Sequence, residues 1–297
     1  MIECQPSLLE SGIPAIVWIA NHLRVSWLTP VIKLISDLGT EGGVIFTLAL
    51  AYWFWNKRYA TYLGYALFTA LLINLLIKGW VMECRPPKEY WLELIRDNSF
   101  SFPSGHAQVA SPLWLGFAYY VRSKGLALFY GVIGLMIALS RPYLGVHFLH
   151  DIGVGLLLGL AIYAVFIVAE RKHWDPLQRF SFVTQAIILF LFIVLYLLSL
   201  HEISRNVVPA LASLMGFWFG CQCETRWVQF IPPQTWRSRI RLLLSGFVGI
   251  GLFWKGFALL GKPVNPDLAI SLKILQYSLL GWWVAFATPA INKALTR

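Results

Sequence analysis

Residues 147–169 read HFLHDIGVGLLLGLAIYAVFIVA, and the eighteen residues from Ile152 to Ala169 carry no charge. A spanning helix needs about 20 mostly apolar residues, so this stretch predicts a membrane crossing with ionisable groups gathered at its start. The same ruler, moved outward, predicts further spans at 42–56, 60–81, 104–121 and 125–143 before it, and at 181–200, 206–223, 241–260 and 270–290 after it. Two shorter apolar stretches, Ile13 to Leu23 and Trp27 to Leu38, are broken by Asn21, His22, Arg24 and Pro30 and predict interfacial helices. The expected fold is all-α, a polytopic transmembrane helix bundle of about nine spans. It divides into N-terminal interfacial helices over 1–41, a core of about five spans over 42–170, and a C-terminal transmembrane extension over 171–297.

Composition agrees with this reading. The 297 residues are 58% hydrophobic and 13% charged, where soluble domains carry roughly a quarter of charged residues. A net charge of +10 invites a nucleic-acid partner, but the basic residues sit in short clusters between apolar runs, so no nucleic acid is expected and they read as topology determinants. One set of loops holds Lys57-Arg58, Arg122 and Lys124, Arg171-Lys172 with Arg179, Arg226 with Arg237, Arg239 and Arg241, and the tail residues Lys293 and Arg297. The positive-inside rule makes this set cytoplasmic. The opposite set holds Lys88, Arg96, Arg205 and Lys262 mixed with acids, which puts the N-terminus outside and the C-terminus inside. Acidic Glu3 and Glu10, with no basic start, argue against a signal peptide.

Cysteines Cys4, Cys84, Cys221 and Cys223 show no zinc spacing, a disulfide framework is not expected in so apolar a chain, and Cys221 and Cys223 read as helix packing. Gly155 and Gly159 form a small-xxx-small face suited to helix packing.

Three segments place ionisable residues at the ends of apolar helices, where their cost makes a functional role the default. The first, closing the 60–81 span, is Lys78-Gly-Trp-Val-Met-Glu-Cys-Arg85-Pro86. Alone, its cations fit snorkelling to the interface better than ligand contact. The second is Pro103-Ser104-Gly105-His106, where proline suits a helix first turn, glycine admits a ligand close to the backbone, and free helix amides favour an anion. A histidine here either donates a proton or caps the helix. The third is Ser140-Arg141, five residues, His147, three residues and Asp151. In a helix starting near His147, the i,i+4 spacing puts both side chains on one face, so that the carboxylate orients the imidazole. His150, about 100° away around that helix, reads as a packed or interfacial residue.

Alternating helix direction brings the end at Lys78, the start at His106, the end at Arg141 and the start at His147 to one membrane face. Three cations, two histidines, a carboxylate and a helix N-terminus together suit a phosphate site.

Lys-x6-Arg-Pro, then Pro-Ser-Gly-His, then Ser-Arg-x5-His-x3-Asp resembles the three-part signature of the type 2 phosphatidic acid phosphatase superfamily, which includes membrane lipid phosphatases and the soluble vanadium haloperoxidases. With its helices the resemblance covers about residues 42–170, the core then being a lipid phosphatase core. It implies that His147 attacks phosphorus and forms a phosphohistidine, that Asp151 orients His147, and that His106 protonates the leaving oxygen. It further implies that Lys78, Arg85, Ser104, the Gly105 amide and Arg141 hold the phosphoryl oxygens. The resemblance implies no cofactor and no metal, and no carboxylate cluster suited to a divalent ion is evident in the sequence.

The implied function is hydrolysis of a lipid phosphomonoester or pyrophosphate at the extracytoplasmic face, with membrane lipids as the surroundings and the oligomeric state left open. A lipid phosphotransferase using the same site is one alternative, and a non-enzymatic transporter or scaffold is another. Undecaprenyl pyrophosphate, phosphatidate, phosphatidylglycerol phosphate, a lipid A phosphate and a sphingoid phosphate are all candidate substrates. The expected location is a bacterial cytoplasmic membrane with the site facing outside. In the extension, His173, His201 and Glu202 are scattered polar residues near helix ends and carry no second catalytic set.

Overall fold

The computed structural model describes residue 5 and residues 12–92, 99–174, 180–200, 206–259 and 265–295. Glu3, Cys4, Glu10, Arg96, Arg179, His201, Glu202, Arg205, Lys262 and Arg297, named above, lie outside the described residues.

Thirteen α-helices form among the described residues. In chain order they are α1 (Gly12–His22), α2 (Leu28–Asp37), α3 (Glu41–Phe54), α4 (Lys57–Val81), α5 (Gly105–Ala110), α6 (Gly116–Tyr120) and α7 (Lys124–Tyr143). They continue as α8 (Leu149–Arg171), α9 (Phe182–Leu198), α10 (Val207–Cys223), α11 (Trp236–Leu259), α12 (Pro266–Trp282) and α13 (Thr288–Ala294). The protein is an all-α membrane protein, with no strand among the described residues beyond an isolated bridge between Gln5 and Glu83.

Five stretches are long and apolar enough to cross a bilayer: Lys57–Val81, Lys124–Tyr143, Leu149–Arg171, Trp236–Phe257 and Leu268–Ala294. They correspond to five of the nine expected spans. The other four are shorter or interrupted. The one expected at 42–56 is the 14-residue α3, which meets α2 at 59° so that the pair forms a bent span or a re-entrant loop. The one at 104–121 is α5 and α6 joined through a π-helical turn over Ser111–Leu115, where Pro112 supplies no backbone N–H to the helix ladder. The ones at 181–200 and 206–223 are α9 and α10, of 17 residues each.

The chain forms two compact units. The first comprises residues 1–47, 63–174 and 194–204. Within it, α4 stops at Val81 because Met82 turns into the left-handed region (φ 50) and the Arg85-Pro86-Pro87 run cannot resume a helix. A buried amide ladder fixes α5 to α4: Asn74 Nδ2 donates to Gln108 Oε1 (2.9 Å), and Gln108 Nε2 donates to Ala70 O (2.9 Å). On the other side α5 packs against α8 through the glycine face. A Cβ at Gly155 would lie 2.7 Å from Ser104 O, and one at Gly159 would lie 2.3 Å from Gln108 O, so the backbones meet where any larger residue would separate them. The glycine pair therefore has the packing role its spacing predicts.

The second unit comprises residues 48–62, 175–193 and 205–297. Here α10 and α12 approach through reciprocal glycines, Gly216 against Ser278 and Gly281 against Ser213. Trp53 Nε1 donates to Val284 O (2.9 Å), and Lys57 pairs with the buried Glu224 at 2.9 Å.

The cysteines carry one bond that the sequence reading does not foresee. Cys84 is disulfide-bonded, whereas Cys221 and Cys223 are free and buried. The bond is no framework for a small core; near it Gln5 N donates to Met82 O (2.9 Å) and Cys84 N donates to Gln5 O (2.9 Å). A single cross-link leaves no spacing pattern in a sequence.

Candidate active site

All eight residues marked by the signature lie in the first unit, around the loops that precede α5 and α8. Lys78, buried in the last turn of α4, donates to the carbonyls of Phe100 and Ser101, the latter at 2.9 Å. Arg85 joins the two loops: Nε donates to Ser99 O (2.8 Å), Nη2 to Ser99 Oγ (2.9 Å) and Nη1 to Val146 O (2.8 Å). Arg141, buried in the last turn of α7, donates from Nη1 to Ser36 Oγ (2.7 Å) on α2.

The chain from Arg141 to His147 needs a tight reversal, which Gly145 supplies at φ +78; a Cβ there would lie 2.0 Å from Tyr90 O. Arg24 clamps this turn from outside, donating to Tyr143 O (2.9 Å) and Tyr90 O (2.7 Å).

His147 stands just before α8, not within it, because that helix starts at Leu149 with Phe148 as its N-cap. The pairing with Asp151 arises differently from the expected helix face. Asp151, in the first turn, reaches back to accept from Phe148 N (2.9 Å) in the manner of an N-terminal cap, and the same Oδ2 lies 3.1 Å from His147 Nδ1. Ser101 Oγ donates to that oxygen at 2.5 Å and lies 3.3 Å from Nδ1.

These contacts fix the imidazole's protons. An ionised carboxylate only accepts and a guanidinium only donates. Nδ1 therefore carries the hydrogen toward Asp151, and Nε2, 3.1 Å from Arg85 Nη1, presents its lone pair.

Ser104 and His106 differ from this group in their hydrogen bonding. Ser104 is the N-cap of α5, yet its hydroxyl makes no capping bond. Its Oγ and His106 Nε2 are both buried and have no hydrogen-bond partner among the described residues. Buried polar atoms are nearly always satisfied, so two orphans in one signature segment mark a place for a polar ligand. Gly105 is the residue between them, where a Cβ would come 3.2 Å from Asn74 Oδ1. Lys78, Arg85 and Arg141 act electrostatically on both imidazoles. The site thus joins fixed positive charge, an oriented imidazole with an unprotonated nitrogen beside Arg85, and unsatisfied polar groups.

Ser101 and Glu83, which sequence reasoning passed over, belong to this neighbourhood together with His150, which it read only as packed or interfacial. Ser101 lies two residues before Pro103 in a serine- and phenylalanine-rich loop, and no spacing rule ties it to Asp151. Glu83 and His150 form the second surprise, since with Asp151 they offer ligand-type atoms within 4.8 Å of one another, the one such group among the described residues. The sequence showed no such cluster because Glu83 lies 67 residues before His150. His150 is packed, as expected, stacked on Phe148 (5.4 Å, 10°), but it also bonds Glu83 at 2.9 Å.

Residues 59–175 match the PAP2 superfamily, and residues 208–296 match the PAP2 superfamily phosphatase transmembrane extension. Phosphatidylglycerophosphatase B of Bacillus subtilis (strain 168) is 31% identical over 168 residues, an alignment covering 52% of this chain and 81% of that protein. The chain belongs to the PAP2 superfamily. It is a membrane lipid phosphatase, a hydrolase acting on phosphoric esters, and the transmembrane extension agrees with its apolar helices. A solved structure, that of the first transmembrane PAP2 type phosphatidylglycerolphosphate phosphatase from Bacillus subtilis, aligns with a TM-score of 0.47 and 26% identity, covering 56% of this chain and 89% of that one.

Proposed function

We propose that this PAP2 phosphatase hydrolyses a lipid phosphomonoester or pyrophosphate through a phosphohistidine on His147, at the extracytoplasmic face of a bacterial cytoplasmic membrane. The observation that carries the reading is the pair of partners around His147: Asp151 Oδ2 lies 3.1 Å from Nδ1 and Arg85 Nη1 lies 3.1 Å from Nε2, which assigns the hydrogen to Nδ1 and the lone pair to Nε2.

In the first half-reaction that lone pair attacks phosphorus while the bond from phosphorus to the lipid oxygen breaks. His106 gives its Nε2 proton to the departing oxygen. Asp151 stabilises the cationic imidazole that results, as in other histidine–carboxylate pairs. Water then attacks phosphorus, His106 takes a proton from it, and the N–P bond breaks to release inorganic phosphate. Lys78, Arg85, Arg141, Ser104 Oγ and the Gly105 amide bind the phosphoryl oxygens as their charge redistributes.

The sidedness rests on two supports. Basic loops at Lys57-Arg58, Arg122 with Lys124, and Arg171-Lys172 favour the cytoplasm, and disulfides persist in oxidising compartments, which fits a bonded Cys84 one residue from Arg85. The same reading keeps the nine spans and the division into interfacial helices over 1–41, a phosphatase core over 42–170 and an extension over 171–297, the last two supported by the separate matches at 59–175 and 208–296.

Cysteines introduced at the exposed Glu89 and Ser123, with Cys221 and Cys223 replaced and Cys84 kept, test the orientation. Glu89→Cys should react with an impermeant thiol reagent in intact cells and Ser123→Cys only after permeabilisation; the reverse pattern overturns the outward-facing site. For the chemistry, phosphatidylglycerol phosphate, named by the Bacillus relative, is the first of a panel of phosphate-labelled lipids to assay. Label released as inorganic phosphate and trapped transiently on His147 is the expected result. Label passing into a new ester would make the protein a phosphotransferase.

A further inference from the structure

The two oxygens of Asp151 are treated unequally. Oδ2 receives Ser101 Oγ, Phe148 N and His147 Nδ1. Oδ1 is buried and makes no hydrogen bond of ordinary length among the described residues, but 3.4 Å from it stands His150 Nε2. That nitrogen also lies 2.9 and 3.2 Å from the two carboxylate oxygens of Glu83. Since carboxylates accept, His150 Nε2 carries a hydrogen and directs it between two acidic side chains.

The couple is held from several directions. His150 stacks with Phe148 and with Phe102, the latter at 6.1 Å and 29°. Glu83 and Asp151 are both fully buried, and Glu83 O accepts from Ser101 N (2.8 Å). Glu83 therefore holds Ser101 by its backbone and, through His150, meets the free oxygen of the carboxylate that Ser101 also bonds. Two buried carboxylates this close repel unless a donor or cation stands between them. Lys78, Arg85 and Arg141 supply the surrounding positive charge on the phosphate side, and His150 is the group facing both carboxylates.

We propose that His150, held by Glu83, is a positioning residue for phosphoryl transfer: its Nε2–H faces Asp151 Oδ1 and keeps that carboxylate ionised and aimed at His147 Nδ1. The proposal rests on His147 as nucleophile and Asp151 as its orienter. Partners of this outer kind typically affect activity about 10- to 100-fold.

The test uses the full-length chain in detergent with a short-chain phosphatidic acid, comparing His150→Gln with His150→Leu. Both fill the space beside the phenylalanine rings, and only glutamine keeps an N–H. The expected result is a kcat about 10- to 100-fold lower for His150→Leu, KM within about twofold, and an acid limb of the kcat profile moved to higher pH, with His150→Gln recovering most of the loss. Adding Glu83→Gln to His150→Leu should restore part of kcat and return the acid limb toward lower pH, since one of the repelling carboxylates is gone. Equal kcat for the glutamine and leucine variants, or an acid limb that does not move in His150→Leu, overturns the proposal. Should His150→Leu fail to fold, Glu83→Gln alone decides: the acid limb should move to lower pH, and an unchanged limb overturns the idea. Asp151→Asn is run alongside. Wild-type turnover in that variant would bring down the underlying reading of the site, whereas its inactivity with a silent His150→Leu would bring down this inference alone.

Discussion

Helix α4 begins with one buried-partner lysine and nearly ends with another, and the two are used differently. Lys57 meets Glu224, whose carboxylate accepts it on both oxygens (2.9 and 3.0 Å) and also takes Phe230 N at 2.5 Å. One positive charge faces one negative charge, and the acid's acceptors are filled. Lys78 belongs to a group of three cations around two imidazoles, with Ser104 Oγ and His106 Nε2 lacking partners among the described residues. A closed ion pair contributes at most to fold specificity and stability. An open cluster with surplus positive charge is costly until an anion enters, which is what a phosphatase site requires. Both lysines have buried partners, so a buried partner alone does not identify a site; Ser104 Oγ and His106 Nε2, buried and unfilled, set the Lys78 cluster apart.

The sharpest way to break this contrast is His147→Ala. Removing a nucleophile should lower turnover by about four to six orders of magnitude, as deletion of a covalent catalyst does elsewhere. Phosphate release normalised to folded protein checks it, and activity within tenfold of wild type would remove His147 from the mechanism. His106→Ala comes next, at about 10²- to 10⁴-fold for an alkyl phosphate. The loss should shrink for an aryl phosphate, whose departing oxygen needs less protonation. Equal losses for both leaving groups would deny His106 its role as acid.

Ser104→Ala sharpens the comparison because it removes one of the two orphaned atoms. A hydroxyl bonded only to the transferring phosphoryl group should cost about 10-fold in kcat/KM, in line with a hydrogen bond to a charged group, and should leave thermal stability unchanged. A large fall in stability with normal turnover would show the hydroxyl to be structural.

Most of the proposed catalytic group is legible in the sequence because each member belongs to a short segment at a helix end: Lys78 and Arg85, Ser104 to His106, Arg141 to Asp151. The longest apolar runs are legible for the same reason, being local in the chain. What escapes is whatever depends on a meeting of distant segments. Ser36 on Arg141, separated by 105 residues, and Glu83 on His150, separated by 67, have no spacing to betray them. Ser101 is close to the signature yet hidden by its ordinary character, a serine in a loop. The mistaken helix face for His147 is a boundary error of two residues, and it matters because the imidazole is held by two loops and a capping carboxylate and not by helix geometry. The disulfide at Cys84 was missed because one cross-link, unlike a framework, leaves no pattern to count.

The smallest expected effect on turnover is also the strictest check of the comparison. Lys57→Met removes the partner of a fully buried carboxylate, Glu224 being 1% exposed against 29% for the lysine. Breaking a buried pair from one side costs about 3–5 kcal/mol, and partial exposure of the lysine reduces that to about 2 kcal/mol. The penalty comes from the stranded charge, so Lys57→Met combined with Glu224→Leu should be more stable than Lys57→Met alone. Turnover per folded molecule should stay within twofold in both variants, because both residues belong to the second unit and the proposed phosphate site to the first. Thermal melts with kcat on the same preparations measure the two quantities together. Stability lost and partly regained with turnover constant upholds the division between a closed pair and an open cluster. A fall in kcat that tracks Lys57 and not the melting temperature would show that the closed pair takes part in catalysis, and the hydrogen-bond criterion would then fail to separate structural lysines from functional ones.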